Sequence, residues 1–168
     1  RDSGEYLIKH GQGYSEFHHE AHGISQNMTV FTPVEDSVKI ISLKIKNNGH
    51  KPRKLSVTSY IDWVLGFSRS QSPQTLITKW DLESKSILAA NTYNNEFSER
   101  IAFISNSGEN VTFTSDRKEF IGRNGSLAKP AALSRKYLSS KTGGGFDLCG
   151  AVQSNLSLLI GEEKEIII

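Results

Sequence analysis

The chain has 168 residues, with 20 basic and 18 acidic side chains mixed along it and a formal charge of +2. A chain of this length suits one domain, which can bury about 70% of the surface its unfolded form exposes without any staple. The charge balance gives no long-range field for nucleic acid or for an anionic membrane. A single cysteine, Cys149, excludes an internal disulfide and fits a reducing, cytoplasmic compartment. No apolar run approaches the roughly 20 residues that a membrane helix needs, and Arg1-Asp2-Ser3-Gly4-Glu5 is no signal peptide. The chain starts without methionine and ends on Ile166-Ile167-Ile168, like a strand cut at its edge, so it is expected to be part of a longer polypeptide.

Polar and apolar residues alternate in many short runs, the period-2 mark of half-buried strands. The first runs from Tyr14 to Phe17 and is entered through His10-Gly11-Gln12-Gly13. Met28, Val30 and Pro33 form a second after Gly23. Ile41, Leu43 and Ile45 face one way, while Ser42, Lys44 and Lys46 face the other. The turn Asn47 to Lys54 carries Asn-Gly and Pro and leads into Leu55, Val57, Ser59 and Ile61, which predicts one long hairpin from Val38 to Val64. Thr78, Trp80 and Leu82 open another hairpin, turned at Glu83-Ser84-Lys85-Ser86 and returning through Ile87 to Thr92. Ile101 and Phe103 are expected to pair with Val111 and Phe113 across Asn106-Ser107-Gly108. Leu156 to Ile160 is expected to pair with Glu165 to Ile168 across Gly161-Glu162-Glu163. Helix is scarce; Pro130 suits the first turn of a short one reaching Tyr137. Eight or more strands at this spacing predict an all-β antiparallel two-sheet sandwich, residues 1–168 forming a single domain.

The alternation breaks between Asp116 and Leu133, which reads as a loop and is the first place to look for function. Arg123 and Asn124 lie between Gly122 and Gly125, and Arg117 and Phe120 precede them. Planar Arg and Asn groups offer donors for hydroxyl or phosphate oxygens, and Phe120 offers a face for a sugar ring. Arg117, Phe120, Arg123 and Asn124 are therefore the substrate-binding candidates. Against this stand a structural Asp116–Arg117 ion pair and a Phe120 that fills the core.

Other features read as ordinary surface or core. His18 and His22 would share a strand face with His19 turned away, and no Cys or carboxylate pattern completes a zinc set. Gly11-x-Gly13 lacks the third glycine and the helix of a dinucleotide fingerprint. The sequons at Asn27, Asn110, Asn124 and Asn155 matter only in a secretory pathway, for which nothing argues. Lys51-Pro52-Arg53-Lys54 is a solvated turn that discourages edge pairing. Asp62 beside Trp63 and Asp81 beside Trp80 are the carboxylates that most suggest glycoside chemistry, yet neither has a compelling partner in sequence. No catalytic residue, metal site or cofactor is assigned.

Several segments together resemble one family. They are His10-Gly11-Gln12-Gly13-Tyr14-Ser15; Phe31-Thr32-Pro33-Val34 with Val38-Lys39-Ile40; and Arg53 to Tyr60 running into Trp63-Val64-Leu65-Gly66. Phe120-Ile121-Gly122-Arg123-Asn124-Gly125-Ser126-Leu127 and Gly143-Gly144-Gly145-Phe146-Asp147-Leu148-Cys149-Gly150-Ala151 complete the set. Their order and spacing cover nearly the whole chain. The chain resembles the amino-terminal β-sandwich of glycoside hydrolase family 94, formerly glycosyltransferase family 36, and within it the cyclic β-1,2-glucan synthase branch above the cellobiose and chitobiose phosphorylases.

That resemblance implies a super-sandwich of the galactose-mutarotase-like type followed by an (α/α)6 barrel that holds the general acid and the phosphate site. It implies a non-catalytic domain whose partners are the barrel of the same chain, a β-glucan or glucoside oligosaccharide and a second copy in a homodimer. It implies no cofactor; inorganic phosphate is the co-substrate if the parent is a phosphorylase. A cytoplasmic domain of an inner-membrane parent fits the synthase branch. Leu148 departs from the proline that usually precedes this cysteine, from which a looser turn is expected. An aldose mutarotase-like activity, with a base among His10, His18, His19, His22 and His50, and a free-standing sugar-binding module are the alternatives.

Overall fold

The computed structural model describes residues 4–66, 68, 74–93, 96 and 98–168, so the first three residues of the amino-terminal stretch lie outside the described residues. Among the described residues twelve strands dominate, and the one α-helix is a single short turn. The chain divides into two compact units, one of residues 1–56 with 155–168 and one of residues 57–154. Strands β5 (Arg53–Asp62) and β11 (Leu148–Leu158) each begin in one unit and end in the other.

In the first unit β1 (Tyr6–Gly11), β2 (Tyr14–Ala21), β3 (Ile24–Phe31) and β4 (Ile40–Asn47) form an antiparallel meander, and β12 (Glu163–Ile167) closes its far side. The register aligns Ile8, Phe17, Met28, Leu43 and Ile166 into one row across all five strands. This row is what the alternation encodes, because cross-strand neighbours on one face are the unit of sheet stabilisation. Between β2 and β3 the two-residue turn is His22-Gly23, both at positive φ (51° and 75°). That is the geometry whose twist matches the flanking strands.

The expected hairpin from Val38 to Val64 does not form. β12 occupies the edge of β4, with Glu163 opposite Lys46 and Ile167 opposite Ser42, and β5 pairs in a different sheet. Asn47 explains the diversion. Its buried side chain donates to the Lys51 carbonyl at 2.8 Å and the Leu159 carbonyl at 3.1 Å, and accepts from Gly49 N–H at 3.0 Å. Its backbone bonds to Gly161 and Glu162 at 2.8 and 3.0 Å. One residue thus hooks the turn after β4 to the turn before β12. The expected pairing of Leu156–Ile160 with Glu165–Ile168 fails for the same reason.

In the second unit β6 (Leu76–Asp81) and β7 (Ser86–Asn91) make the hairpin the sequence predicts, with Asp81 opposite Ser86. β8 (Ile101–Ser105) joins β7 and the two-residue β10 (Gly143–Gly144) joins β6. β9 (Thr112–Asp116) was expected to pair with β8 but lies against β11 in the sheet β5-β11-β9. Asn106 does turn the chain after β8, accepting from Gly108 N–H at 2.8 Å. It delivers the chain to another sheet rather than back onto the same one. The strands therefore form three antiparallel sheets where the sequence suggested two.

Two core clusters lie among the described residues of this unit. Trp63, Leu76, Ile87, Ala89, Ile104, Leu148 and Val152 form the first, with Trp80 stacked on Phe113 at its margin, ring centroids 3.9 Å apart. Phe120, Ile121, Ala132, Leu138, Cys149 and Ala151 form the second. Leu148 opens no loose turn. It is a buried first residue of β11, opposite Asp116, with a bulge following before Ala151. No helix of the described residues is long and apolar enough to cross a membrane.

Candidate recognition loop

Asp116 to Leu133 is not loop throughout. Asp116 ends β9 and caps a five-residue helix, α1 (Arg117–Ile121), accepting from Glu119 N–H at 3.0 Å. A 3₁₀ turn follows at Ala131–Ser134, shorter than the helix expected to run to Tyr137, with Pro130 as its cap. The signal for α1 was in the sequence: an Asp with Glu three residues on is an N-terminal capping pattern. Five residues are too few for the hydrophobic period that would have made it visible.

An isolated helix this short is not stable in water, so its neighbours hold it. Arg117 Nε donates to Asp62 Oδ1 at 3.2 Å and its Nη1 lies 3.5 Å from Asp147 Oδ2. Arg117 N–H also donates to the Asp147 carbonyl at 3.0 Å. Glu119 accepts from Thr114 Oγ1 at 2.6 Å, from Arg135 Nη1 at 2.9 Å and from Ser139 Oγ. Phe120 is 2% exposed and stacks on Tyr60, ring centroids 4.6 Å apart. Its ring belongs to the core and shows no open face to a sugar. Asp116 pairs with Lys141 at 2.5 Å, not with Arg117. The ion pair expected within the loop is thus replaced by four that tie it to other segments.

Beyond α1 the chain turns on two glycines. Gly122 ends the helix at φ 93°, with its N–H donating to the Lys118 carbonyl at 2.9 Å. A Cβ on Gly125 would lie 2.0 Å from the Ile121 carbonyl oxygen, so only glycine lets the chain fold back against the helix. Gly125 N–H donates to the Gly122 carbonyl at 3.2 Å, which closes a four-residue turn. Arg123 and Asn124 are its two central residues. Both are exposed, and neither makes a hydrogen bond or ion pair among the described residues. Ser126 bridges to Lys129 beyond them. The four candidates therefore separate into a clamped base, Arg117 and Phe120, and an open tip, Arg123 and Asn124.

Sequence reasoning noticed Asp62 but not its partners. Tyr60 Oη and Arg117 Nε both donate to Asp62 Oδ1, and Arg117 reaches on to Asp147. The residues lie 55 and 30 positions apart, so no local pattern could join them. Burial pushes the Tyr60 hydroxyl up, and its hydrogen bond to Asp62 adds to the rise. Burial also pushes the Cys149 thiol up, with Asp62, Asp116 and Asp147 contributing, which keeps it protonated and inert. Asp81 plays another part: Ser84 N–H and Oγ donate to it at 2.8 and 2.6 Å, and these bonds hold its carboxyl below the ordinary value. It is a hairpin-turn residue. His18 lies 3.4 Å from Glu16 and His19 stacks on Tyr6, while no group of three His, Cys, Asp or Glu among the described residues is placed to hold a metal ion.

The whole chain, residues 1–168, matches the family described as the glycosyl hydrolase 94 supersandwich domain. It is 31% identical to the cyclic β-(1,2)-glucan synthase NdvB of Rhizobium meliloti (strain 1021) over 99% of this chain and 6% of that protein. It is 25% identical to the N,N'-diacetylchitobiose phosphorylase of Vibrio proteolyticus, over 96% of this chain and 21% of the relative. Against the solabiose phosphorylase of Paenibacillus borealis the identity is 24%, over 97% and 22%. The chain thus spans between 6% and 22% of the length of these three relatives. With the fold, the motif order and the whole-length match in agreement, the chain belongs to the glycosyl hydrolase 94 supersandwich family.

Proposed function

We propose that this is a non-catalytic, carbohydrate-associated domain of a larger enzyme acting on β-linked glucosides, a cyclic glucan synthase or a glycoside phosphorylase. The observation that carries the reading is the tip at Arg123-Asn124. Two planar polar side chains stand exposed on a turn fixed by Gly122 and Gly125 and rooted in a clamped helix. Loops that bind ligands are held this way, with free side chains on a fixed base. Guanidinium and amide groups are suited to sugar hydroxyls and to phosphate oxygens. The relatives' names, a glucan synthase and two phosphorylases, fit a β-glucan or glucoside oligosaccharide as the molecule the tip meets.

In this reading bond cleavage belongs to an (α/α)6 barrel elsewhere in the same polypeptide, and the domain shapes that site and the homodimer. Inorganic phosphate is the co-substrate where the parent is a phosphorylase. The domain works on the cytoplasmic side of a parent that is itself anchored in the inner membrane in the synthase case. Two measurements test this. Residues 1–168 alone should not release glucose 1-phosphate from β-linked glucosides with inorganic phosphate, and turnover above background overturns the proposal. In the full-length protein Arg123→Ala should impair turnover with the fold unchanged, whereas unaltered kinetics make the tip a plain surface turn.

A further inference from the structure

We propose that Arg117 is a positioning residue: it does not touch the saccharide but sets the place of the Arg123-Asn124 tip by clamping α1 between two acidic side chains. The inference rests on the recognition role proposed for that tip. It reassigns a residue that the sequence alone groups with the binding residues.

Three observations support it. The guanidinium is already engaged, reaching Asp62 at the end of β5 at 3.2 Å and Asp147, just before β11, at 3.5 Å. Those acids come from two separate segments, so the clamp fixes the first residue of α1 against both, and the Arg117 N–H bond to the Asp147 carbonyl at 3.0 Å adds a backbone tether. Next, α1 has five residues and cannot persist without such contacts. Finally, the tip is built directly on α1. Gly122 bonds back to Lys118, Gly125 bonds back to Gly122, and Gly125 is pressed onto the Ile121 carbonyl with no room for a Cβ. A shift of the helix therefore moves Arg123 and Asn124 with it. Displacements on the order of 1 Å in a positioning element are enough to lower turnover about a hundredfold.

Arg suits the task where Lys does not. A planar fork bonds two carboxylates in fixed directions, while an ammonium is a point charge on a flexible stem. Asp62 is in turn held by Tyr60 Oη, so its carboxylate is oriented before Arg117 meets it.

The test uses the full-length protein and two readouts. Amide hydrogen exchange of peptides covering residues 117–130 should rise in Arg117→Ala by at least about tenfold beyond any rise in β9 and β11 peptides. Arg117→Lys should restore part of that protection and Asp147→Asn should lose part of it. The second readout is turnover of β-1,2- and β-1,4-linked glucose oligosaccharides with inorganic phosphate in a double-mutant cycle. Arg117→Ala should lower kcat/KM, and adding it to Arg123→Ala should cost little more than Arg123→Ala alone, because Arg117 acts through the tip. Fully additive losses would mean direct saccharide contact and would overturn the proposal, as would unchanged exchange over residues 117–130 in every variant. Raised exchange in Arg117→Ala with unaltered turnover in both single variants leaves the clamp intact and overturns the recognition role of the tip instead. If Arg117→Ala fails to fold, Arg117→Lys and Asp147→Asn carry both readouts.

Discussion

Arg117 and Arg123 lie six positions apart, yet the two arginines live in different surroundings. Arg117 is half-buried between Asp62 and Asp147, while Arg123 is exposed at the end of a turn. Residue type therefore says little about role in this segment. What distinguishes the base from the tip is whether the side chain's hydrogen-bonding capacity has been consumed by the fold. A base whose guanidinium is held by the fold is rigid, and a tip with its donors open is available.

The contrast predicts that base variants damage stability and tip variants damage activity. The largest effect belongs to Phe120→Ala, which empties a core position and should cost about 3–5 kcal/mol in urea unfolding. Gly125→Ala should come close, since its Cβ would meet backbone that has no flexible end to yield. Arg117→Ala removes the guanidinium that Asp62 and Asp147 share, and a loss of about 1.5–3 kcal/mol is expected. Asp116→Ala removes a helix cap and should cost about 1 kcal/mol.

Asp116→Asn separates charge from capping, because asparagine caps as well as aspartate. Burial pushes the Asp116 carboxyl up, but Lys141 and the N–H groups of Glu119 and Lys118 outweigh it and leave it below 3.8. A carboxyl held low in the folded state contributes stability above its unfolded value and loses it as pH falls through the folded value. Stability of the native sequence should therefore drop more steeply below pH 4 than that of Asp116→Asn. Equal slopes would remove the Lys141 pair from the account. The smallest stability effects, within about 0.5 kcal/mol, belong to Arg123→Ala and Asn124→Ala; a large loss in either would end the distinction between base and tip. Cys149, wholly buried in the cluster behind α1, should resist iodoacetamide at pH 8 in the native protein and react once denatured.

How much of this was legible depends on the range of each contact. The β6–β7 hairpin could be read because alternation, the polar turn at Glu83-Ser84-Lys85-Ser86 and the return strand all lie within 16 residues, 76–91. The strands around it were also visible, but their partners were not. Periodicity says that Ile41, Leu43 and Ile45 share a face and is silent on whether β5 or β12 supplies the neighbour. Asn47 settles that through carbonyls more than 100 positions away. β1 passed unread because all six residues, Tyr6–Gly11, are exposed and carry little alternation. In the candidate segment local sequence could indicate the two glycines and a core-filling Phe120. It could not find the clamp, since Asp62, Asp147 and Arg117 are adjacent only after β5, β9 and β11 come together.

The pairing of β4 with β12 also bears on how the chain is made. During synthesis β1 to β4 can zip up as soon as they emerge, each strand meeting the one before it. The outer edge of β4 then waits more than 110 residues for Glu163–Ile167, and β9 waits more than 30 for β11. Long-range strand pairing is slow to form and leaves an open edge meanwhile. On a ribosome adding about 5–20 residues per second, that edge is bare for several seconds. A truncation before Glu163 should therefore aggregate rather than fold, which light scattering on dilution from urea checks.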